Sequence, residues 1–549
     1  MKKLKLLTTL STLGIVGAAV PVISTSCNKE DTSNYIVYKG EKINFDGYTF
    51  RQSDITALDD DHIAAIPYIV DGQPSETESW PAYIINGKPY DVRLITEIHI
   101  GSATDIEEIP ARFLASCYSL RIADFGGIKG VARIDDDFLA GCSQLSWINL
   151  PTLRKLSDEE IYSMFMNGIN QVEDNFLAGA ISLEYINLKP FANLVTIPDN
   201  FLNCVYDDAN PHGNMFLKSL DFSSWKNVAY IGKNFLNACL ALESVKLPTI
   251  KPLSLTVGGK AIELPVQTGT IGDSFMSFCP NIRELDFTPL ANVTSIGDYF
   301  MCSYVDGNSN TYYAPMPYLK KLDFSMMTNV TKIGDGFCIG PVFATEVKLP
   351  TMVEGKKGSD MIETEPEIGG GFLSGLGSLE SIDLTPLKKL TYIPDAFFAG
   401  CSSLKTIDLS PLTNVTNIGT DFLMYCASLK VVDLTPMTAL QTEGKDASAT
   451  SSVIGESFLY ACNALEELDM GYILAKLVGA YNTQEEADEK VALTKVAETG
   501  LEEDPDFSDI LIVGNDKDNY VTKFPAKAWS SAGSGSENIY IRKLVTQQE

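Results

Sequence analysis

The chain has 549 residues, of which 45% are hydrophobic and 21% charged, and its formal net charge is −29. This apolar content is typical of a folded protein and argues against an intrinsically disordered one. A strongly acidic surface repels nucleic acid, so no nucleic-acid partner is expected.

The first 26 residues have the pattern of an export signal. Three lysines lie among the first five residues, an interrupted apolar stretch covers 6–23, and small residues precede Cys27. The Ile-Ser-Thr-Ser-Cys ending resembles the lipobox of bacterial lipoproteins, in the loose form found in mollicutes. The resemblance implies a signal peptide over 1–26, lipidation at Cys27 and a location on the extracellular face of the cell membrane. A transmembrane helix and plain secretion are the alternatives, although the apolar run is near the minimum spanning length.

Residues 27–94 precede a repetitive region. We expect 27–36 to be a polar lipidated tether and 37–94 to be a small N-terminal cap, because short runs such as 83–85 and 91–94 are typical of strands. A cap is needed because an open repeat array exposes apolar surface and strand edges at its ends.

Residues 95–470 repeat with a period of about 25, as in the successive copies IPDAFFAGCSSLKTIDLSPLTN and IGTDFLMYCASLKVVDLTPMTA. Phe372, Phe397 and Phe422 occupy the same place in three units. Such a period indicates a solenoid, in which each unit buries its apolar face against its neighbours.

Each unit contains a Leu-x-x-Ile-x-Leu core, which predicts a strand with its fourth and sixth residues buried and its third and fifth facing solvent. In the Asp-x-Phe-Leu-x-x-Cys-x-x-Leu segment, apolar residues at i, i+4 and i+7 predict a short helix. The predicted fold class is therefore an α/β repeat, a leucine-rich-repeat solenoid with one short strand, a turn and a short helix per unit. The 13 predicted strands begin at Ile95, Leu120, Leu145, Leu183, Leu217, Leu242, Ile282, Leu319, Ala344, Leu379, Leu404, Leu429 and Leu465.

The pattern resembles the leucine-rich repeats of BspA-type bacterial surface proteins, whose units carry an Ile-Gly-x-x-Ala-Phe-x-x-Cys-x-x-Leu signature. The resemblance covers about two-thirds of the chain. It implies an anchored surface protein that binds a macromolecular partner, a host or matrix protein. A structural or antigenic coat protein is the alternative function. The departures are insertions, expected to be loops on one side, at 151–170, 205–216, 250–268, 303–317, 351–367 and 441–452.

Seven of the 11 cysteines lie four residues after the repeat Phe. Because Ala180 and Leu376 take the same place in other units, we expect a column of buried thiols packed like small hydrophobes. Disulfides between stacked units are the alternative. Zinc is not expected, because paired Cys-x-x-Cys ligands do not occur. The seven are Cys117, Cys142, Cys239, Cys279, Cys401, Cys426 and Cys462.

The three histidines, His62, His99 and His212, have no nucleophile or second His at motif spacing. Phosphate-binding, dinucleotide and nucleophile-elbow motifs do not occur either, so we expect no enzyme, no catalytic residue and no cofactor. A surface hydrolase is the rival function. Acidic loops at 59–61 and 515–518 do not match an EF-hand, so solvated loops are expected there and no metal site.

The third and fifth strand positions should form one surface. Eight of the 13 fifth positions are Asp. This column of aspartates is interpreted either as a feature that favours solubility and turn formation or as a surface for a basic partner. Three consecutive third positions are apolar, and exposed aromatic residues often anchor protein interfaces. The alternative is that the 151–170 insertion, predicted to be helical over 157–166, folds over them. The candidate partner-binding residues are Ile122, Trp147, Tyr185, Asp124, Asn149 and Asn187.

Residues 471–549 are expected to form a C-terminal cap. They contain a predicted helix, an acidic loop over 502–509 and strands near 510–513 and 539–541. An independent functional domain is the alternative there.

Overall fold

A computed structural model describes residues 32–70, 73–205, 213–263, 268–307, 310–313, 315–357, 362–442, 459–465 and 467–469, with three strands near the C-terminus. Cys27, His212 and most of the predicted C-terminal cap lie outside the described residues. Within the described ranges, no helix has the length and apolar character needed to cross a bilayer.

The repeat strands form parallel ladders in register, and strands occur at ten of the 13 predicted positions. A six-stranded sheet, here called the N-terminal sheet, has the order Tyr185–Asn187, Trp147–Asn149, Ile122–Asp124, Ile95–Ile100, Asn34–Tyr38 and Glu41–Asn44. Its repeat strands are parallel, and the hairpin 34–44 adds antiparallel. The later ladders pair Ser219–Asp221 with Ser244–Lys246, Lys321–Asp323 with Glu346–Lys348, and Val431–Asp433 with Glu467–Asp469.

The predicted alternation of burial along these strands is confirmed. In the strand at 147–149, Ile148 is fully buried and Leu150 follows it into the core, whereas Trp147 and Asn149 are partly exposed. The buried side chains join one hydrophobic core that extends from Ile36 to Leu465. The repeat array is therefore held by apolar burial between units, the dominant favourable term in folding.

A second parallel ladder, which the sequence analysis missed, runs through the residues before each Gly or Pro turn. Gly297 shows why glycine recurs after these strands: a Cβ there would lie 2.7 Å from the backbone nitrogen of Asp273 in the preceding unit. The ladder contains Thr196–Ile197, Tyr230–Ile231, Thr270–Ile271, Ser295–Ile296, Lys332–Ile333 and Glu367–Ile368. Matching pairs join Glu108–Ile109 to Arg133–Ile134, and Tyr392–Ile393 to Asn417–Ile418.

The prediction of a short helix in each Phe-to-Cys segment is wrong for the described repeats. The segment instead alternates residues of positive φ, such as Leu139 at 54° and Gly141 at 73°. The Leu139 N–H donates to the Phe113 carbonyl of the preceding unit (3.0 Å), and the Gly141 N–H donates to Ala178 of the next (2.7 Å). A helix would direct these donors along its own axis to i−4. Stacked neighbours satisfy them instead, while the same apolar residues are still buried.

The repeat Phe side chains form a continuous stack of fully buried rings. Neighbouring centroids lie between 4.9 and 6.2 Å apart, and the ring planes are close to parallel. This stack joins units whose repeat Phe residues are 25–40 residues apart in sequence. Its members are Phe113, Phe138, Phe176, Phe201, Phe235, Phe275, Phe300, Phe337, Phe372, Phe397 and Phe422.

The insertions contain secondary structure of their own. A helix at Asp158–Asn167 begins with a capping box in which the Ser157 side chain accepts from the Glu160 N–H. Three insertions contain antiparallel hairpins: Ser254–Val257 with Lys260–Glu263, Tyr304–Gly307 with Asn310–Tyr313, and Gly355–Lys357 with Ile362–Thr364. The first of these turns through Gly258-Gly259, both at positive φ, as a tight hairpin requires.

The remaining elements are short. Before the repeats, helix Gln52–Thr56 accompanies an antiparallel sheet of Ala64–Val70, Gln73–Ile85 and Lys88–Asp91. Strand Lys129–Val131 pairs with Thr152–Leu153, and helix Thr438–Thr442 follows the last complete unit. The 3-10 helices are Asp60–His62, Val92–Leu94, Lys189–Phe191, Thr288–Leu290 and Thr385–Leu387. The C-terminal strands are Lys523–Pro525, which pairs with Glu467–Asp469, and Trp529–Ser531, which pairs with Ile539–Ile541.

Candidate partner-binding surface

Ile122, Trp147 and Tyr185 lie side by side on the N-terminal sheet, and we call them the apolar row. Trp147 is directly opposite Ile122 on one side and Tyr185 on the other. The Trp147 and Tyr185 rings stack, with centroids 6.0 Å apart and planes 12° apart. Tyr185 is 50% exposed, and the other two are partly exposed. The structure thus brings the three predicted apolar residues together on an accessible face.

The sheet ends at Tyr185–Asn187, which gives the apolar row a defined geometry. One face of the Tyr185 ring lies against Trp147, on the last strand of this sheet. Because the two rings support each other, they lose less rotamer freedom on contact with a partner than isolated long side chains would. The row is therefore a preorganised apolar surface.

The fifth positions beside the apolar row form a hydrogen-bonded polar row centred on Asp124. Its carboxylate lies 2.9 Å from His99 Nδ1 and accepts from Asn149 Nδ2 at 2.9 Å. The His99 ring stacks on Tyr35 of the N-terminal hairpin, with centroids 4.9 Å apart. Asn187, in the next strand, accepts from the Lys189 backbone N–H at 3.2 Å.

His99 corrects the expectation that every fifth position faces solvent. It is only 8% exposed, because the hairpin 34–44 pairs alongside its strand and brings Tyr35 over the ring. Burial alone would raise the pKa of Asp124, but hydrogen bonds from His99, Gly126 and Asn149 hold that pKa below its ordinary value. Asp124 is therefore an internal structural acceptor rather than a titrating group near neutral pH.

Farther along the chain, some aspartates at the fifth strand positions form ion pairs with a lysine at the fifth position of the next strand. Lys246 Nζ lies 2.8 Å from Asp221, and Lys348 Nζ lies 2.6 Å from Asp323. These aspartates also accept the backbone N–H two residues ahead, which closes the turn after each strand. The interpretation as a turn-forming column is the one that the geometry supports. Aspartates with this turn bond are Asp124, Asp221, Asp286, Asp323, Asp383, Asp408 and Asp433.

The 151–170 insertion does not bury the apolar row. Leu156 and Ile161 pack with Leu255 of the first insertion hairpin. Phe165 lies edge-on to Tyr230, a residue of the second ladder. The helix therefore lies against elements other than the N-terminal sheet, and Tyr185 keeps its exposure.

The cysteine column consists of buried thiols, as the sequence predicted. All ten cysteines in the described residues are free and buried. The Cys142 thiol, for example, donates to the Leu114 carbonyl of the preceding unit at 3.1 Å, and Cys401 donates to Leu373 at 3.3 Å. These two thiols thus fill apolar space and donate to buried carbonyls.

No group of three or more His, Cys, Asp and Glu side chains arranged to hold a metal occurs in the part of the chain that the structure describes. His62 contacts Asp59 in the predicted acidic loop. A groove of 330 Å³ between Arg112, Asp137 and Asn200 is lined by amide and small side chains.

An aspartate column, which was not predicted from the sequence, also joins the units. An Asp two residues before the repeat Phe accepts the backbone N–H of the equivalent residue in the next unit, as from Asp298 to Asp273 (3.0 Å) and from Asp335 to Asp298 (2.9 Å). The signal was visible as the recurring Asp-x-Phe. These side chains bind backbone rather than ligand, so they belong to the scaffold.

No curated protein sequence matches the chain. Among solved structures, it is similar to a leucine-rich repeat protein from Bacteroides ovatus, with 16% identity and a TM-score of 0.37 over 74% of this chain and 87% of that one. A leucine rich cell surface protein from Faecalibacterium prausnitzii is 13% identical, with a TM-score of 0.22 over 61% and 82%. The functional domain of InlJ from Listeria monocytogenes, described as including a cysteine ladder, is 14% identical, with a TM-score of 0.19 over 63% and 66%.

Residues 361–447 match the family model described as BspA type leucine rich repeat region (6 copies). They contain the most regular Phe-to-Phe repeats of the chain. Residues 361–447 therefore contain repeats of the BspA type.

Proposed function

We propose that the protein is a lipid-anchored cell-surface protein that binds a host or matrix protein through the apolar row. In this proposal the repeats form one continuous solenoid between an N-terminal cap over 37–94 and a C-terminal cap over 471–549. Leucine-rich repeat families suggest a role in protein interaction, and their members are typically non-enzymatic binding proteins.

The proposed anchor depends on the lipobox-like ending at Cys27. A diacylglyceryl group on its thiol inserts two chains into the membrane, which is enough for stable attachment. Triton X-114 partitioning of membranes from producing cells tests it. The wild-type protein should enter the detergent phase, and Cys27→Ala should shift it to the aqueous phase. Equal partitioning of the two would contradict the anchor.

The observation that carries the binding proposal is the stacked Trp147–Tyr185 pair, in which Tyr185 is exposed and Trp147 is partly exposed. Aromatic side chains dominate protein interfaces because they bury a large apolar area with few rotatable bonds. Their parallel stack offers a partly exposed aromatic surface, which is suited to a side chain or strand of a protein surface. The neighbouring polar row supplies a rim around this apolar centre.

A pull-down with the fragment from Ser33 to Glu549, using solubilised extracellular-matrix and host-surface proteins, would identify the partner. Trp147→Ala and Tyr185→Ala should each weaken its binding by about 30-fold, as expected for an interface anchor. Val431→Ala is the matched control, because Val431 is a 45% exposed apolar residue in the same strand column far along the chain. Asp408→Ala is a second control, since its carboxylate closes its own turn.

Equal losses for Trp147→Ala and Val431→Ala would contradict the assignment of the site. If the wild-type fragment retains no partner, the result favours the alternative function, a coat protein without a dedicated ligand. The fold of each variant is checked by circular dichroism, so that a loss of binding is not mistaken for unfolding.

A further inference from the structure

Cys204 departs from the register of the cysteine column. The column cysteines follow the repeat Phe by four residues, whereas Cys204 follows Phe201 by three. Its sulfur consequently lies 3.6 Å from the sulfur of Cys239 in the next unit, 35 residues away. Both side chains are buried, with 2% and 0% exposure. Two thiols therefore lie in van der Waals contact inside the core.

The hydrogen bonds of Cys239 differ from those of the regular column. Cys279, Cys426 and Cys462 donate to a carbonyl of the preceding unit at 3.2–3.3 Å. The corresponding distance from Cys239 to the Leu202 carbonyl is 3.8 Å, longer than its 3.6 Å contact with the Cys204 sulfur. The Cys204 thiol lies 3.4 Å from the same carbonyl. The irregular register thus adds a thiol–thiol contact, and the thiol–carbonyl hydrogen bond of Cys239 is longer than those of the regular column.

We propose that Cys204 and Cys239 are a dithiol that thiol–disulfide exchange with a small-molecule disulfide converts to an inter-unit disulfide. The Cys204 thiolate attacks one sulfur of the oxidant, whose S–S bond breaks and releases one thiol. The Cys239 sulfur then loses its proton, attacks the Cys204 sulfur of the mixed disulfide and releases the second thiol. Two electrons pass to the oxidant, and two protein thiols become one disulfide.

Exchange requires a thiolate and access for the oxidant. The hydrogen bond with Cys204, together with burial, raises the pKa of Cys239 well above its ordinary value. Exchange therefore takes place while the two units are open, during folding or local unfolding, and the closed structure then shields the bond from reductants.

The disulfide would join two units at a junction in the repeat array. The N-terminal sheet ends at Tyr185–Asn187, and a separate ladder begins with Ser219–Asp221. Cys204 and Cys239 belong to the two units that contribute the strands Ser219–Asp221 and Ser244–Lys246. A bond between them would therefore tie the first two units of this separate ladder. The oxidising setting comes from the export proposed above. The exchange chemistry itself depends on neither the anchor nor a binding partner.

The test uses the full chain, purified under reduction in detergent, refolded with oxidised glutathione, alkylated and mapped by peptide mass spectrometry. A Cys204–Cys239 cross-linked peptide is expected, while Cys401 and Cys426 remain alkylated thiols. The oxidised protein should melt about 5 °C above the reduced form, because the bond constrains the unfolded chain. Cys204→Ser should abolish both effects, and Cys401→Ser should retain them.

Two results would overturn the proposal. One is alkylation of both Cys204 and Cys239 after oxidative refolding, and the other is cross-linking spread evenly along the column. If Cys204→Ser fails to fold, the wild-type peptide map decides alone. The two proposals fail independently. Absence of the Cys204–Cys239 peptide would not contradict partner binding by the apolar row, and a failed pull-down would not contradict the disulfide.

Discussion

Replacing Asn214 by Ala removes a buried amide that joins the end of the 205–216 insertion to the preceding repeat. Asn214 is 1% exposed, and its Nδ2 donates to the carbonyls of Ala180 (3.1 Å) and Leu183 (2.9 Å). Its Oδ1 accepts from the backbone N–H groups of Phe216 (2.9 Å) and Leu217 (2.7 Å). The variant therefore leaves four backbone groups without the hydrogen bond that Asn214 gives them.

The four losses are not equal. The Ala180 carbonyl keeps the Leu183 N–H as a donor at 3.2 Å, and Phe216 is 50% exposed, so water can reach its N–H. The Leu183 carbonyl and the Leu217 N–H belong to residues that are 0% and 2% exposed. A buried polar group left without a partner costs about 1–3 kcal/mol. We therefore expect Asn214→Ala to lower the free energy of unfolding by about 4 kcal/mol, the sum of two such groups.

Urea unfolding of the fragment from Ser33 to Glu549, followed by circular dichroism and tryptophan fluorescence, measures this cost. Asn214→Asp keeps the acceptor oxygen but replaces the Nδ2 donor by an oxygen facing two carbonyls, so it should destabilise to a similar extent. Asn227→Ala, at an exposed asparagine, is the control and should change the free energy of unfolding by less than about 0.5 kcal/mol. A loss below about 1 kcal/mol for Asn214→Ala would refute the reasoning, because it would mean that these backbone groups find other partners.

Three further predictions concern the scaffold. Phe275→Leu should cost about 1–2 kcal/mol in urea unfolding, because it leaves a gap between two stacked rings in the core; a loss under about 0.5 kcal/mol would show that the stack tolerates the gap. The depressed pKa of Asp124 stabilises the fold above its unfolded-state pKa of about 3.9, and this contribution is lost as pH falls through the folded pKa. The Tm difference between wild type and Asp124→Asn should therefore shrink from pH 6 to pH 3, and a constant difference would contradict it. Ser157→Ala should cost about 1 kcal/mol of local stability at the helix cap, measured as faster amide exchange over 158–167, and unchanged exchange would contradict the cap.

The strand positions were predictable because apolar alternation reports burial directly. At 147–149, Trp-Ile-Asn places one apolar residue in the core whichever neighbour the strand pairs with. The apolar row could be predicted for the same reason: a strict repeat puts equivalent positions next to each other. The environment of His99 could not be predicted. Its burial depends on a hairpin that pairs with its strand but lies more than 50 residues earlier in the sequence.

The Phe-to-Cys segments show the limit of periodicity as a guide to structure. Apolar residues at i, i+4 and i+7 are compatible with a helix and equally with a run of turns that buries the same side chains. Hydrogen bonding decides between them, and the partners lie in other units: Leu139 bonds to Phe113 and Gly141 to Ala178. Only the stacked structure supplies these partners, so the helical prediction failed.

The sequence by itself determined the repeat period, the buried face of each strand, the thiol column and the identity of the exposed aromatic residues. Those properties follow from which side chains leave water, and composition and spacing record that locally. The tertiary structure decided where the 151–170 helix packs, how the aspartates are neutralised and bonded, and which thiols meet. These outcomes depend on distances between units that are 25 or more residues apart, where a one-residue change of register, as at Cys204, moves a side chain onto a new neighbour.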